Sequence, residues 1–297
     1  MNFPDRFVFS GGGMKGIITI GFLASIQATN PECFSSSERC VRSFAGSSVG
    51  ALIACLCYLK ADFNSLLLLQ QIERIVNACT AAEHTNTTGF STGLIVKKMM
   101  FETIFMLTDL KNPTLLEAAS VVETEAELVI CATNTDTMTS TYFSAATHPQ
   151  VKLIDVLFAS MCVPILFQAI EIDNAYYVDG AITDNLPFGF DWAERYAANS
   201  ERLDCWLFTY KKHKKDKQKP SIFSMLKCLL AGSVQCTNMM LKTANICFPH
   251  VYNLRSIALT SNIPSYAFSS IYINALLNSG EAQGKKFISL QKTKAWT

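Results

Sequence analysis

Residues 41–59 read VRSFAGSSVGALIACLCYL, in which a short strand predicted at 41–45 runs into a turn with two glycines and then into an apolar stretch of helical length. The stretch from Val49 to Leu59 is apolar nearly all round, which predicts a helix buried on all sides. A buried helix directly after a strand is typical of an α/β fold, in which helices cover a sheet.

A second unit with the same order lies at the start of the chain. Phe7-Val8-Phe9 is a short apolar strand, three glycines follow at 11–13, and residues 15–28 carry apolar side chains at helical spacing. Two strand–turn–helix units predict an α/β fold with a parallel sheet.

The remaining chain continues the alternation. Residues 62–107 have a helical pattern with a break at 86–89 and an N-cap expected at Ser91 or Thr92, and Pro113 is expected in the first turn of a helix ending at Ala119. Further strands are predicted at 128–133, 139–143, 170–172, 176–178 and 206–208, and further helices at 151–160 and 267–290.

Composition limits the class of protein. Of 297 residues 49% are apolar and 16% charged, which predicts one folded domain over residues 1–297. The net charge of +1 does not indicate nucleic-acid binding. Eleven cysteines without a CxxC pair indicate reduced thiols and no zinc site. The N-terminus lacks a signal-peptide pattern and no apolar run is long enough to span a membrane, so we expect a cytoplasmic protein that is not secreted.

The turn at 46–50 predicts a nucleophile. Gly46-Ser47-Ser48-Val49-Gly50 fits G-x-S-x-G, in which the serine occupies a sharp strand-to-helix turn and the glycines leave room beside it. The spacing selects Ser48 rather than Ser47. The positive end of the following helix points at this serine and favours the oxyanion formed when the serine attacks a carbonyl.

A serine nucleophile needs a base, and Asp179 is the strongest candidate. Tyr176-Tyr177-Val178 can carry it to the same sheet edge, and Gly180 relaxes the backbone behind it. An aspartate of ordinary pKa, about 3.9, is a weak base, so this assignment requires desolvation and a short hydrogen bond to the serine. The four histidines lie in segments without a catalytic signature: His84, His148, His213 and His250.

The glycine loop Gly11-Gly12-Gly13-Met14-Lys15-Gly16 has two interpretations. It satisfies G-x-G-x-x-G, which in a nucleotide-binding protein cradles phosphates at a helix N-terminus. The second strand, however, is followed by no acidic residue that could hold a ribose, and the Lys-Ser/Thr pair of a P-loop is missing. The same amides would serve as an oxyanion hole.

Taken together, the three glycine-bearing corners resemble the patatin-like phospholipase family. The loop 11–16 is similar to the family's oxyanion loop, 46–50 to its nucleophile turn, and Asp179-Gly180-Ala181 to the motif of its catalytic aspartate. Two further stretches are similar, 159–164 (ASMCVP) and 184–187 (DNLP), so the resemblance covers about residues 6–190, with 200–297 completing the fold.

The resemblance implies an α/β, three-layer patatin-like fold with a central, mainly parallel sheet flanked by helices. It also implies a Ser48–Asp179 dyad without a catalytic histidine. It also implies hydrolysis of acyl esters of phospholipids or neutral lipids, with no metal or cofactor. The oxyanion hole would come from Gly11, Gly12, Gly13 and Met14, and the supporting residues would be Lys15, Gly16, Gly46, Gly50, Gly180 and Ala181. A nucleotide-binding protein and a catalytically silent lipid-binding relative remain alternatives.

One basic segment offers a way to reach a lipid surface. Six lysines lie between Lys211 and Lys219, and apolar residues follow at helical spacing from Ile222 to Leu230. Such a segment can lie on an anionic membrane or a lipid droplet, although the pattern slightly favours a solvated loop before a core-packed helix.

Overall fold

The computed structural model describes residues 3–31, 33–34, 41–85, 91–122, 125–198, 200–211, 251–260 and 270–294. The strands are β1 (Arg6–Phe9), β2 (Ser43–Ser47), β3 (Glu127–Asn134), β4 (Thr139–Phe143), β5 (Ile170–Ile172), β6 (Ala175–Asp179), β7 (Leu203–Tyr210) and β8 (Tyr252–Leu259). The α-helices are α1 (Gly16–Thr29), α2 (Val49–Tyr58), α3 (Leu66–Thr85), α4 (Leu94–Thr108), α5 (Leu115–Val121), α6 (Leu153–Met161), α7 (Trp192–Ala197) and α8 (Ser270–Lys294).

The eight strands form one mixed sheet with the order β5-β6-β3-β2-β1-β7-β8, and β4 pairs with β3 off this path. The pairs β1–β2, β2–β3, β1–β7 and β7–β8 are parallel. The pairs of β3 with β4 and β6, and of β5 with β6, are antiparallel. The predicted α/β fold, with a mainly parallel sheet flanked by helices, is confirmed.

Both edges of β3 are occupied where the site forms. Cys131 pairs with Ser47 of β2 and with Tyr142 of β4, so these two strands lie on opposite edges. Ala132 pairs with Thr141 of β4 and with Asp179 of β6. Because a strand has only two edges, β6 shares the edge of β2, and the last residue of β6 meets the last residue of β2 end to end.

The core is divided by the sheet, as the alternation of side chains along each strand requires. Phe7 and Phe9 of β1 lie in the larger core with residues of α1, α2, α6 and α8, whereas Val8 lies in the smaller core on the opposite face. The smaller core is covered by Leu186 and Phe188, in the segment that precedes α7.

Two predicted helix starts were wrong. The N-cap of α4 is Gly93, with φ 67°, rather than Ser91 or Thr92, because the main chain of Ser91 is bonded to the 166–168 segment. Pro113 precedes α5 instead of lying in its first turn. The N-cap is Thr114, which forms a reciprocal capping box with Glu117. The Thr114 side chain accepts the Glu117 amide and the Glu117 side chain accepts the Thr114 amide, and a proline has neither the side-chain acceptor nor the amide for these bonds.

Candidate active site

The nucleophile turn stands between β2 and α2. Ser48 is the N-cap of α2 and has φ 56° and ψ −132°, a backbone conformation that residues other than glycine rarely adopt. Such a residue costs about 1–3 kcal/mol and persists only when its surroundings hold it. A Cβ at Gly46 would lie 2.2 Å from the Gly50 carbonyl oxygen, so the turn tolerates nothing larger at Gly46.

Ser48 and Asp179 are in direct contact although they are far apart in sequence. The Ser48 hydroxyl donates to Oδ2 of Asp179 over 2.7 Å, and Ser48 and Asp179 are 8% and 1% exposed. The neighbouring Ser47 is fully buried, and its hydroxyl lies 2.7 Å from the position of a Cβ on Gly180. The hydroxyl that contacts the aspartate is therefore that of Ser48 rather than that of Ser47.

Asp179 is held by hydrogen bonds to its carboxylate, to its main-chain amide and to its main-chain carbonyl. Its Oδ1 accepts the amide of Ala181 over 2.8 Å, and its own amide donates to the Cys162 carbonyl over 3.0 Å. Thr133 donates its hydroxyl to the Asp179 carbonyl over 2.9 Å. These bonds fix the direction in which the carboxylate points.

The pKa of Asp179 is raised to about 6. Burial, which disfavours the charged carboxylate, outweighs the hydrogen bonds from Ser48 and from the Ala181 amide, both of which lower the pKa. The carboxylate is thus a stronger base than a solvated aspartate and is still ionised at neutral pH.

The glycine loop lies against the nucleophile turn. A Cβ on Gly11 would lie 3.0 Å from Cβ of Ser48, and a Cβ on Gly12 would lie 2.3 Å from the ring of Tyr210. Residues 13–15 form a single 3-10 turn whose first amides have no partner within the turn, and Gly13 has φ 54°. Gly11 differs from its neighbours because its amide already donates to the Asn185 carbonyl over 3.2 Å.

The supporting residues hold these three corners together. A Cβ on Gly16 would lie 2.5 Å from the side chain of Val49, one on Gly50 would lie 2.2 Å from the Phe9 carbonyl, and one on Gly180 would lie 2.1 Å from the Cys131 carbonyl. Lys15 is half-buried in the last position of the 3-10 turn. The sequence-predicted residues from all three motifs therefore lie at one place.

The other candidates fall elsewhere or outside the described residues. His148 contacts Thr147, by a 2.8 Å hydrogen bond, and the ring of Phe143, rather than the dyad. The side chains of His84, His213 and His250 are outside the described residues, as is the basic segment beyond Lys211 with the apolar stretch 222–230.

Sequence reasoning missed three residues that touch the site. Ser160 accepts the amide of Ser48, Tyr210 packs on Gly12, and Asn185 accepts the amide of Gly11. Ser160 and Asn185 stand in the two stretches that resemble the family outside its three motifs, and this was the available signal. Tyr210 is the last residue of β7 and carries no local signal.

Two features of the described chain bear on cofactors and membranes. Among the described residues, no group of three or more His, Cys, Asp or Glu side chains could hold a metal ion. Within the same residues, no helix has both the length and the apolar character needed to cross a membrane.

Comparison with known proteins shows similarity to a viral protein and to a solved structure, in addition to a family match. A 207-residue stretch is 22% identical to the probable lipid hydrolase 463L of Invertebrate iridescent virus 6 and covers 67% of each chain. The crystal structure of VipD from Legionella pneumophila superposes with a TM-score of 0.51 at 15% identity, covering 97% of this chain and 67% of VipD. The similarity to VipD concerns the fold alone.

The family match spans the corners whose geometry is described above. Residues 7–192 match the sequence model of the patatin-like phospholipases, a range that contains the glycine loop, the turn of Ser48 and the aspartate at the end of β6. The chain belongs to the patatin-like phospholipase family.

Proposed function

We propose that the protein hydrolyses acyl esters of lipids, with Ser48 as nucleophile and Asp179 as its base. The observation that carries this proposal is the 2.7 Å hydrogen bond between two buried side chains, a hydroxyl and a carboxylate of raised pKa. A positioned base within hydrogen-bond reach is what a serine needs to become nucleophilic.

The chemistry proceeds in two halves. Asp179 accepts the proton of Ser48 while Oγ attacks the ester carbonyl, and the carbonyl oxygen becomes an oxyanion. The alcohol then leaves with the proton from Asp179, and the acyl group stays on Ser48. A water molecule gives its proton to Asp179 and attacks the acyl-enzyme, and Ser48 leaves with that proton as the fatty acid is released.

The glycine loop is our candidate for the oxyanion hole. The amides of Gly12, Gly13 and Met14 stand at the start of a turn, where amides lack internal partners and can donate to a developing negative charge. Gly11 contributes less directly, because its amide binds Asn185 and its missing side chain leaves room beside Ser48. Lys15 would add positive charge near this loop.

A lipid substrate is supported by the family and by the name of the viral relative. Phospholipids and acylglycerols are both candidates, because both present a carboxylic ester beside long acyl chains. A cytoplasmic location, one domain over residues 1–297 and peripheral contact through Lys211–Lys219 stay predictions from the sequence.

Labelling by a fluorophosphonate probe tests the nucleophile. We expect wild-type protein to be labelled at Ser48, and Ser48→Ala and Asp179→Asn to lose hydrolysis of a short p-nitrophenyl ester by about 10³-fold or more. Ser47→Ala is the matched control, since it removes a hydroxyl one residue away that does not reach Asp179. Unchanged hydrolysis in either dyad variant would refute the assignment.

The same experiment separates the alternatives. A nucleotide-binding protein would show saturable nucleotide binding and no label on Ser48. A silent relative would bind lipid vesicles without being labelled. Fatty-acid release from a panel of phospholipids and acylglycerols then identifies the substrate of an active enzyme.

A further inference from the structure

One turn, at the C-terminal end of α6, contacts the main chain of both dyad residues. The amide of Ser48 donates to Oγ of Ser160 over 2.9 Å, and the amide of Asp179 donates to the carbonyl of Cys162 over 3.0 Å. Ser160 lies in the last turn of α6 and Cys162 is its C-cap. Ser48 and Asp179, 131 positions apart in sequence, are thus both bonded to one short stretch of chain that contains Ser160 and Cys162.

The hydroxyl of Ser160 is fully buried and takes part in two hydrogen bonds, once as donor and once as acceptor. It donates its proton to the Cys131 carbonyl over 2.6 Å and accepts the amide of Ser48, at 0% exposure. Cys131 is the β3 residue that pairs with Ser47, the residue before the nucleophile. One hydroxyl therefore connects α6, β3 and the strained turn.

The strained turn needs this support more than an ordinary turn would. Ser48 has positive φ, and rotation of its peptide unit toward a relaxed conformation would move both its amide and its side chain. Without the hydroxyl of Ser160, the Ser48 amide and the Cys131 carbonyl would each lose a buried partner. The relaxed conformation would then compete with the one that places Oγ against Asp179.

We propose that Ser160 is a positioning residue, whose hydroxyl holds the nucleophile turn at hydrogen-bonding distance from the catalytic base. Its kinetic consequence rests on the proposed function. Its structural consequence, an intact Ser48–Asp179 hydrogen bond, can be measured without any enzymatic turnover.

The state of that hydrogen bond is readable in the titration of Asp179. Donation from Ser48 lowers the pKa of this carboxyl, whereas burial raises it. Among the described residues, the titratable groups that interact with its charge are the thiols of Cys131 and Cys162. Burial raises the pKa of both thiols, that of Cys162 to about 12, so they stay neutral in the range where Asp179 titrates. If Ser160→Ala lets Ser48 move away, the pKa of Asp179 rises above about 6.

The kinetic experiment compares four variants of the full chain. We expect Ser160→Ala to lower kcat for a p-nitrophenyl ester by about 10- to 100-fold with little change in KM, as expected when reacting groups lose their alignment. The pH at which kcat of Ser160→Ala falls on the acid side, its acid limb, should be higher than in wild-type protein. Ser160→Thr, which keeps the hydroxyl, should recover most of kcat, and Ser160→Cys, which fills the same space with a weaker donor, should be intermediate.

Ser25→Ala is the matched control. It also removes a buried hydroxyl that binds a main-chain carbonyl, that of Phe22 over 2.8 Å, but it lies in α1 away from the dyad. A purely structural role for Ser160 would make the two alanine variants alike, with reduced thermal stability and an unmoved acid limb. Folded Ser160→Ala or Ser160→Cys protein with wild-type kcat and pH profile would overturn the proposal.

A carboxyl ¹³C NMR titration of Asp179 keeps the proposal testable if wild-type protein proves inactive. The proposed function then fails alone, while a higher Asp179 pKa in Ser160→Ala still supports positioning. An unchanged pKa in the folded variant contradicts positioning whether or not the protein is an enzyme.

Discussion

The raised pKa of Asp179 sets the pH dependence of the reaction we propose. The base must be ionised to accept the proton of Ser48, and burial raises its pKa to about 6. We expect kcat/KM for a neutral ester to rise with pH through about 6 and then level off. Initial rates between pH 4.5 and 8.5 check this. A rate that stays near its plateau value down to about pH 5 would mean that the carboxyl is solvated and has an ordinary pKa.

The same carboxyl lowers the stability of the folded protein. A pKa raised from 3.8 to about 6 costs roughly 3 kcal/mol when Asp179 is ionised, a cost fully present above pH 6 that fades as pH falls toward 3.8. Asp179→Asn keeps the shape and can still accept the Ala181 amide. We expect it to increase the free energy of unfolding at pH 8 by about 1–3 kcal/mol, and by less at pH 4.5.

Urea unfolding at the two pH values measures this difference. Asp155→Asn is a useful control, because that carboxylate is over one-third exposed and paired with Lys97 at the surface, where substitution is worth less than about 1 kcal/mol. If Asp179→Asn were destabilising at pH 8, the buried charge would not be the dominant contribution at this position.

Single residues of the site differ in how far sequence could identify them. Ser48 follows from local rules, since a strand, two glycines and a buried helix surround it. Asp179 required the resemblance, because Asp-Gly is also an ordinary turn. Ser160 and Tyr210 could not be assigned a role, because each meets the site at a residue more than a hundred positions away in sequence.

At the scale of elements, α1 and α8 pack with their backbones in contact. A Cβ on Gly21 of α1 would lie 2.1 Å from the Leu277 carbonyl, and one on Gly280 of α8 would lie 2.1 Å from the Ile18 carbonyl. Each glycine therefore admits the backbone of the other helix. Gly280→Ala must separate the helices, and this outweighs the gain of about 1 kcal/mol that alanine brings to a helix interior.

We expect Gly280→Ala to lower the free energy of unfolding by about 2–3 kcal/mol, in the range of overpacked cores. Chemical denaturation measures the loss, and Ser289→Ala, an exposed substitution on the same helix, should change it by less than about 0.5 kcal/mol. A stabilised Gly280→Ala variant would show that helix propensity, not backbone contact, governs this position.

Element boundaries show where local patterns stop being sufficient. The helix from Val49 was predicted nearly to its last residue because its apolar character begins and ends with it. The start of α4 was missed because Ser91 uses its main chain to bond a distant loop, leaving Gly93 as N-cap. Strand β8 was not predicted individually. Its place in the sheet is set by parallel pairing with β7, about 50 residues earlier in the chain, which local sequence patterns do not specify.

At the scale of the whole molecule, the dyad depends on strand order. Asp179 reaches Ser48 because β2 and β6 pair with the same edge of β3, one after the other. The pairing with β2 ends at Cys131 opposite Ser47, and the pairing with β6 begins at Ala132 opposite Asp179. The sequence predicted two strand–turn–helix units with glycines in their turns, and thus a mainly parallel sheet. It could not predict that an antiparallel strand would complete the site, because pairing register is fixed by contacts between distant residues.

The smaller core is tied to the sheet by a buried ion pair. Arg6 of β1, 3% exposed, donates to both carboxylate oxygens of Asp191, over 2.8 and 2.6 Å, and to the Phe188 carbonyl. Burial alone would raise the pKa of Asp191, but the bonds and charge of Arg6, with the hydroxyl of Tyr252, hold it below its ordinary value. The segment over the smaller core is thereby fixed to β1.

We expect Arg6→Ala to lower the free energy of unfolding by about 3–5 kcal/mol at neutral pH, because it leaves the half-buried charge of Asp191 without its partner. Arg42→Ala is the matched control. That arginine is 52% exposed and its ion pairs with Asp5 and Glu201 span 3.8 and 3.5 Å, so its loss should be under about 1 kcal/mol.

The pH dependence tests the cause of this loss. A carboxyl of lowered pKa stabilises the folded protein above its unfolded pKa, and that contribution disappears as pH falls through the folded value. The difference between wild type and Arg6→Ala should therefore shrink as urea unfolding is repeated toward pH 3. A difference that stayed constant with pH would assign the loss to the packing of the Arg6 side chain on Phe190, 4.2 Å from the ring centre, rather than to the ion pair.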